Sequence, residues 1–283
     1  MKCIIQKHQD SYRKFFFLSI SAFLLYAWPA DLKSQAVLGA REMAMGQATT
    51  ALPNSSWSIF SNPAMMPGNQ SSVSFFGVRY YGLSEITDIA AAAIYATSVG
   101  VIGAGVHRYG YNLFNESRLR LGYKNAAAGF HYGLVMNYSH VAQGGEYGSA
   151  GALGVDLGVA APILPELWIA AKAVNINQPV YGSRNGEELP RNLSLGFSYY
   201  LTDIALFSGE VFKDVRFPIA YRGGIEVQIV GGLTGRAGMT TSPQTFTAGF
   251  GYAGSLWRTS VAVQRHENSI LGYSPAVDFS INW

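Results

Sequence analysis

From about residue 70 to its carboxyl end the chain alternates apolar and small polar side chains with a period of two, which specifies extended strands with two unlike faces. Tyr273, Val277, Phe279, Ile281 and Trp283 fall on one face, against Ser274, Ala276, Asp278, Ser280 and Asn282 on the other. The same split recurs at Phe130, Tyr132, Leu134, Met136 and Tyr138, at Leu193, Leu195, Phe197 and Tyr199, at Phe246, Ala248, Phe250 and Tyr252, and at Leu119, Leu121 and Tyr123. The second face limits the fold most. In a soluble sandwich it would look to water and be dense in Lys and Glu, yet here it is mostly Gly, Ser, Thr and Asn. Charged residues make up 13% of the chain, about half the share of a soluble domain, and 32 of its 283 residues are glycine. A small-residue interior under an apolar exterior describes an all-β, antiparallel transmembrane barrel with strands of about 9–11 residues. A soluble two-sheet β protein is the competing fold.

Segments bounded by Gly, Pro, Asn or charged turns fall near 72–82, 86–96, 99–109, 116–126, 128–140, 151–161, 166–175, 190–200, 204–213, 217–229, 232–241, 244–253, 256–266 and 272–283. That predicts about fourteen strands, an even number as in bacterial single-chain barrels. Ile89 to Val106 has no charge and would pass as a membrane helix by hydropathy alone. Thr97, Ser98 and Gly100 sit where a hairpin turn belongs, and Gly103 and Gly105 repeat at strand spacing, so two strands are expected instead. The longest predicted loops are 141–150 and 176–189.

The amino-terminal residues set the compartment. Lys2, Lys7, Arg13 and Lys14 precede an uncharged apolar run from Phe15 to Trp28, the pattern of a secretory signal. Small residues at Ser34 and Ala36 suggest cleavage before Val37, with a cut after Ala30 as the alternative. Residues 1–36 are therefore expected to be a signal peptide. They hold Cys3, the one cysteine, and carry five of the 20 basic and two of the 17 acidic residues. The remainder has fifteen of each, so no basic surface argues for nucleic acid, and no thiol is left for redox or metal chemistry.

Val37 to Gln70 lacks the alternation and contains several prolines. Leu38, Gly39, Ala40 and Arg41, then Met45, Gly46, Ala48, Ala51 and Leu52, then Trp57, Ile59, Phe60 and the triplet Asn62, Pro63, Ala64 resemble the amino-terminal signature of the PorV/PorQ group of outer-membrane barrels, relatives of the FadL fatty acid transporters. Leu271, Gly272, Tyr273 and Ser274 resemble that group's penultimate motif, and Pro190 to Gly196, Gly224 to Glu226 and Arg236 to Gly238 follow its later strands. Gln47 stands where a glycine commonly follows the Met-Gly pair. The resemblance implies a bacterial outer-membrane barrel with three parts: the signal peptide, an amino-terminal plug over 37–70 folded into the lumen, and a barrel over 71–283. It also makes Phe279, Ile281 and Trp283 a carboxyl-terminal assembly signal.

The alternation places Arg118, Arg120, Asp156, Lys172, Glu210, Arg222, Glu226, Arg236, Arg258 and Asp278 inward, with Arg41 and Glu42 of the plug within their reach. Seven of the ten follow residue 166, so the inner network is expected to be denser in the second half. Such a network serves either as a lattice that rigidifies the wall or as a selectivity element. Catalytic signatures are absent. Gly249, Gly251 and Gly254 match a dinucleotide spacing by chance, since a strand follows, and His107, His131, His140 and His266 have no ligand spacing. No enzyme activity, cofactor or metal is expected. Two functions compete. A barrel resembling PorV and PorQ would present its rim to a type IX-like secretion translocon or an exported surface protein. A FadL-like channel would take up a hydrophobic small molecule past the plug and out through a gap in the wall, with inward aromatics such as Trp168, Tyr200 and Phe212 as lining. Outer-membrane lipid surrounds the barrel in either case.

Overall fold

The computed structural model describes residues 37–144, 148–182, 186–267 and 272–283. The expected signal peptide and Leu271 of the penultimate motif lie outside these described residues. Fourteen antiparallel strands close into a barrel: β1 (Ser72–Arg79), β2 (Thr87–Thr97), β3 (Gly100–Gly110), β4 (Phe114–Ala127), β5 (Phe130–Gln143), β6 (Gly148–Leu164), β7 (Leu167–Val174), β8 (Asn192–Thr202), β9 (Ala205–Asp214), β10 (Ala220–Val230), β11 (Leu233–Thr241), β12 (Gln244–Ala253), β13 (Trp257–His266) and β14 (Tyr273–Asn282). β14 pairs back onto β1 from Ser72↔Asn282 to Val78↔Ala276, which closes the sheet and removes both edges.

Each predicted strand has its counterpart, including the two read from Ile89 to Val106, which meet at a turn over 98–99. No helix among the described residues is long and apolar enough to cross a membrane, so strands make the crossing. Strand ends shift from expectation by up to three residues, and the shifts at β5, β6 and β1 have a visible cause. β5 and β6 run on to Gln143 and from Gly148, so the predicted loop 141–150 shrinks to 144–147, because their ladder continues past the length needed to span lipid. β1 ends at Arg79 rather than 82, because Tyr80–Gly82 wind into a single 3₁₀ turn.

The strands alternate buried and exposed residues, and the exposed positions carry Phe, Leu, Ile, Val and Tyr. A barrel in water would not leave that band uncovered; hydrocarbon covers it. Connections at one end have two or three residues, whereas at the other they reach seventeen, over 175–191. Short turns belong to the periplasmic side and longer loops to the cell exterior. Tyr95, Tyr123, Tyr132, Tyr199, Tyr252 and Trp257 face outward near the short-turn end, where an aromatic girdle meets the headgroups.

Depth along β14 sets the cost of a misplaced charge. Val277 lies at its middle, while Phe279 and Ile281 approach the short-turn end; all three face outward. An Arg costs about 2–4 kcal/mol at the midplane and less toward the interface. Val277→Arg should therefore reduce the heat-modifiable, folded fraction on gels most, Phe279→Arg less and Ile281→Arg least. Equal migration of all three variants would contradict this register.

Candidate functional site

Residues 37–70 line no surface of their own; they lie inside the barrel, touching the wall on nearly every side. Helix α1 (Ala40–Ala44) packs on β11 to β14, the 3₁₀ turn Ser56–Ile59 on β1 to β4, and the 3₁₀ turn Pro63–Met65 on β4 to β6. Between them, Thr49 to Ala51 lie against β8 and β9. An irregular chain buried this way has backbone groups that no ladder satisfies, and each left unpaired would cost about 1–3 kcal/mol.

Wall side chains supply the partners. Asp278 Oδ2 accepts from Ala40 N at 2.7 Å and Arg41 N at 3.3 Å. Glu210 Oε2 accepts from Thr49 N and Thr50 N, each at 2.9 Å. Carbonyls meet bases and hydroxyls: Arg120 Nη1 donates to Ile59 O at 3.1 Å, Lys124 Nζ to Met66 O, Ser198 Oγ to Ala51 O and Ser208 Oγ to Ala48 O. At the rim Arg258 reaches Asn54 O at 3.5 Å.

The ten expected inward charges all face the lumen side, and nine of them fall into two groups. Arg120 pairs with Asp156 at 3.1 Å and Arg222 with Glu210 at 3.1 Å, with Lys172 within electrostatic reach of both carboxylates. In the second group Glu226 bridges Arg236 at 2.6 Å and Arg41 at 2.7 Å, near Asp278 and Arg258. The tenth, Arg118, pairs with Glu116 at 3.2 Å near the outer rim. Glu42 does not join them. Its carboxylate accepts from Ser55 Oγ of the same segment, and burial pushes it up to about 7, opposed by Arg41 and reinforced by Asp278. Asp88, His107, Glu116 and Lys124 also face inward, so the network is not concentrated in the second half as expected. These four lie near strand ends, where strand and turn compositions look alike.

The motif residues fit against small wall positions. Gly39 caps α1 at φ 105°, and Gly46 turns at φ 62° against β10 and β11. Met45 is buried with Leu52, Leu206 and Tyr200. Asn62 Nδ2 donates to Thr50 O at 2.7 Å while its Oδ1 accepts from Ala64 N, so Pro63 and Ala64 start a 3₁₀ turn where the Asn-Pro pair alone suggests a non-helical one. A Cβ at Gly133 would approach the Pro63 backbone to 2.6 Å, and one at Gly158 would overlap Asn62. Gln47 adopts φ 64°, a left-handed conformation that suits the glycine the resemblance puts there.

The lumen has two sides. Over β1 to β3 much of the inner wall is apolar, with Phe76, Val78, Ala90, Ala92, Ile94 and Val101 packed on Trp57, Ile59 and Met66, between Ser72 and Ser74 toward one end and the Asp88–His107 pair toward the other. The expected lining aromatics are elsewhere: Trp168 packs on Ala64 and Met65, Tyr200 on Met45 and Leu52, and Phe212 stacks under Arg222 at 3.9 Å. They fill space around the segment rather than line a pocket. No gap opens in the wall. β3 keeps ten consecutive pairs with each neighbour, and the register shifts at Pro162/Leu164, Tyr200/Thr202 and Gln228/Val230 all adjoin short turns. Among the described residues no group of three His, Cys, Asp or Glu is placed to hold a metal. Gly249 and Gly251 lie in β12 and no helix follows them.

No family model matches this chain, and no curated protein matches it in sequence. Among solved structures it is similar to the toluene transporter TbuX of Ralstonia pickettii, with a TM-score of 0.62, 15% identity, 86% of this chain and 97% of that chain covered. The toluene transporter TodX of Pseudomonas putida gives 0.61 at 13% identity over 86% and 96%. A FadL homologue of Pseudomonas aeruginosa gives 0.55 at 8% identity over 88% and 98%. At these identities the likeness is one of fold, and it identifies a barrel of the bacterial outer membrane. The first two of these neighbours are named as toluene transporters.

Glu226→Gln would leave Arg41 and Arg236 facing a neutral amide. Breaking a buried pair costs about 3–5 kcal/mol, and less here because the carboxylate keeps 16% exposure. The expected result is a lower thermal transition and faster proteolysis within 37–70, both read on detergent-solubilised protein. Glu42 binds its proton more tightly folded than unfolded, since its ordinary value is 4.5. Its contribution is therefore fully present below pH 4.5 and lost as pH rises through about 7. Glu42→Gln should flatten the thermal transition between pH 4.5 and 8; parallel curves for the two proteins would count against this role.

Proposed function

We propose that the chain is an outer-membrane channel for a hydrophobic small molecule, with residues 37–70 as a plug that must shift for solute to pass. The observation that carries this reading is the two-sided lumen. A channel for ions or sugars needs a continuous polar path, whereas the inner wall over β1 to β3 offers an apolar stretch short of the Asp88–His107 pair, covered by apolar side chains of the segment, among them Trp57, Ile59, Phe60 and Met66. The fold likeness to toluene transporters and a FadL homologue points the same way. The secretion-partner reading draws on the PorV/PorQ-like motifs alone and has no comparable support.

The anchoring is uneven in a way that suits a plug. Thr49, Thr50, Ala40 and Arg41 are held by carboxylates and the carbonyls of Ile59, Phe60 and Met66 by Arg120 and Lys124 of β4, while the side chains of Trp57 and Ile59 meet β1 to β3 through dispersion and area burial. The charged side serves as the fixed mount and the apolar side as the part that yields. Solute would leave along the barrel axis, because the ladder offers no lateral opening.

Ser56 and Ser72 place their hydroxyl oxygens 2.8 Å apart, joining the apolar part of the plug to β1. Residues 37–283 contain no cysteine, so a Ser56→Cys, Ser72→Cys protein has one intended disulfide. Cells lacking their own carrier should take up a labelled monoaromatic hydrocarbon or long-chain fatty acid when they express the reduced protein. Oxidation should bring uptake down to the empty-cell level, and reductant should restore it. Uptake that ignores the lock would remove the plug from the path, and no uptake in either state would sink the channel reading.

A further inference from the structure

The charged side chains of the strands are sorted by sign. Every acidic strand residue faces inward: Asp88, Glu116, Asp156, Glu210, Asp214, Glu226 and Asp278. Among the described residues, the charges that face outward from strands are Arg79, Arg108, Lys213 and Arg265, all basic and all at the long-loop end. Lys213 donates to Phe217 O and Arg79 lies beside Glu85, whereas Arg108 and Arg265 have no ion-pair partner among the described residues, and of these two Arg108 borders a groove.

Arg108 sits at the edge of a groove of about 680 Å³ on the membrane-facing side of β1 to β5. Two aligned rows build it. Phe75, Ala91, Val106, Leu119 and Tyr138 are successive cross-strand partners and form the apolar floor. One step nearer the exterior, Gly77, Ile89, Arg108, Ser117 and His140 form the second row. Ala91 and Ser117 leave room in the middle, while Phe75 and Tyr138 stand at the flanks. Hydrocarbon contact thus gives way, within one row, to a guanidinium, a hydroxyl and an imidazole.

We infer that this groove binds the phosphorylated glycolipid of the outer leaflet, with its acyl chains on the apolar row and a phosphate on Arg108, supported by His140 and Ser117. Sign and position both select that occupant. An unpaired outward cation at the hydrocarbon edge is costly unless an anion meets it, and a guanidinium matches phosphate oxygens in pairs. Five adjacent strands span about 19 Å, which accommodates several acyl chains side by side and so favours a multi-acyl glycolipid over a two-chain phospholipid. The site lies outside the wall and does not depend on what crosses the lumen.

The test uses the whole protein, purified in mild detergent, stripped of lipid and incubated with bisphosphorylated lipid A or with phosphatidylglycerol, with retention read by native mass spectrometry. Lipid A should be retained in preference to phosphatidylglycerol, and Arg108→Gln should weaken its retention about fivefold, the equivalent of about 1 kcal/mol per cation at a charged surface. Ala91→Phe fills the groove, leaves every cation in place and should weaken retention as well. Both variants are scored only as the heat-modifiable, folded form. No retention by the unaltered protein, unchanged retention by both variants, or equal retention of phosphatidylglycerol would overturn the assignment.

Discussion

A backbone without a ladder of its own has been enclosed in a barrel, and the structure depends on how its polar groups are met. In the wall, every strand satisfies its neighbour. In the segment over 37–70 α1, two 3₁₀ turns and a few isolated turns such as Leu52 N to Thr49 O do so internally. The wall answers with ionised side chains: carboxylates of Glu210 and Asp278 take amides, and Arg120 and Lys124 take carbonyls. Hydrogen bonds to charged groups are worth about 1.5–3 kcal/mol each, more than neutral ones, so a few of them hold a segment that lacks regular structure. Those charges then need partners, which explains why Arg222 pairs with Glu210, Asp156 with Arg120, and Arg236 with Glu226.

The same enclosure dictates the small inner face. A side chain at Gly158, Gly224 or Gly238 would collide with Asn62, Met45 or Gly46, so close approach of backbone to wall excludes anything larger. The high glycine content is therefore set by the contact between segment and wall as well as by turns. It also explains why the inward aromatics serve as packing: once the segment occupies the lumen, Trp168 and Tyr200 have it as their neighbour.

Period-two alternation made the strands and their faces legible, because one register error would put a whole set of Phe, Leu and Tyr into a crowded lumen. Ten inward charges were legible for the same reason. Pairing among them was not: Arg41 and Glu226 lie 185 positions apart, and only barrel closure brings them together. Helix α1 has five residues, too few for a helical period to emerge. The outward cations Arg79, Arg108, Lys213 and Arg265 did leave a signal, since each interrupts an apolar face at its loop end. Motif likeness favoured secretion partners, whereas the folded barrel is similar to hydrocarbon transporters. Motifs in the segment report how it seats in the wall, and in the proposed channel the wall opposite would set the choice of solute.

That last point separates mount from moving part. To clear a path beside the carboxylate-held stretch, a solute would have to strip Thr49, Thr50 and Ala40 from Glu210 and Asp278, exposing buried charge on both sides. Beside β1 to β3 it would exchange one apolar contact for another: Trp57 and Ile59 leave Phe76, Ala92 and Val101, and an apolar solute takes their place. The first route costs several interactions that the solute cannot replace, whereas the second trades like for like as long as side chains move and the carbonyls of Ile59 and Met66 stay on Arg120 and Lys124. A water-soluble solute would lose on both routes. On the proposed reading, discrimination for apolar molecules would follow from which side of the lumen is free to exchange its contacts, without a dedicated binding residue.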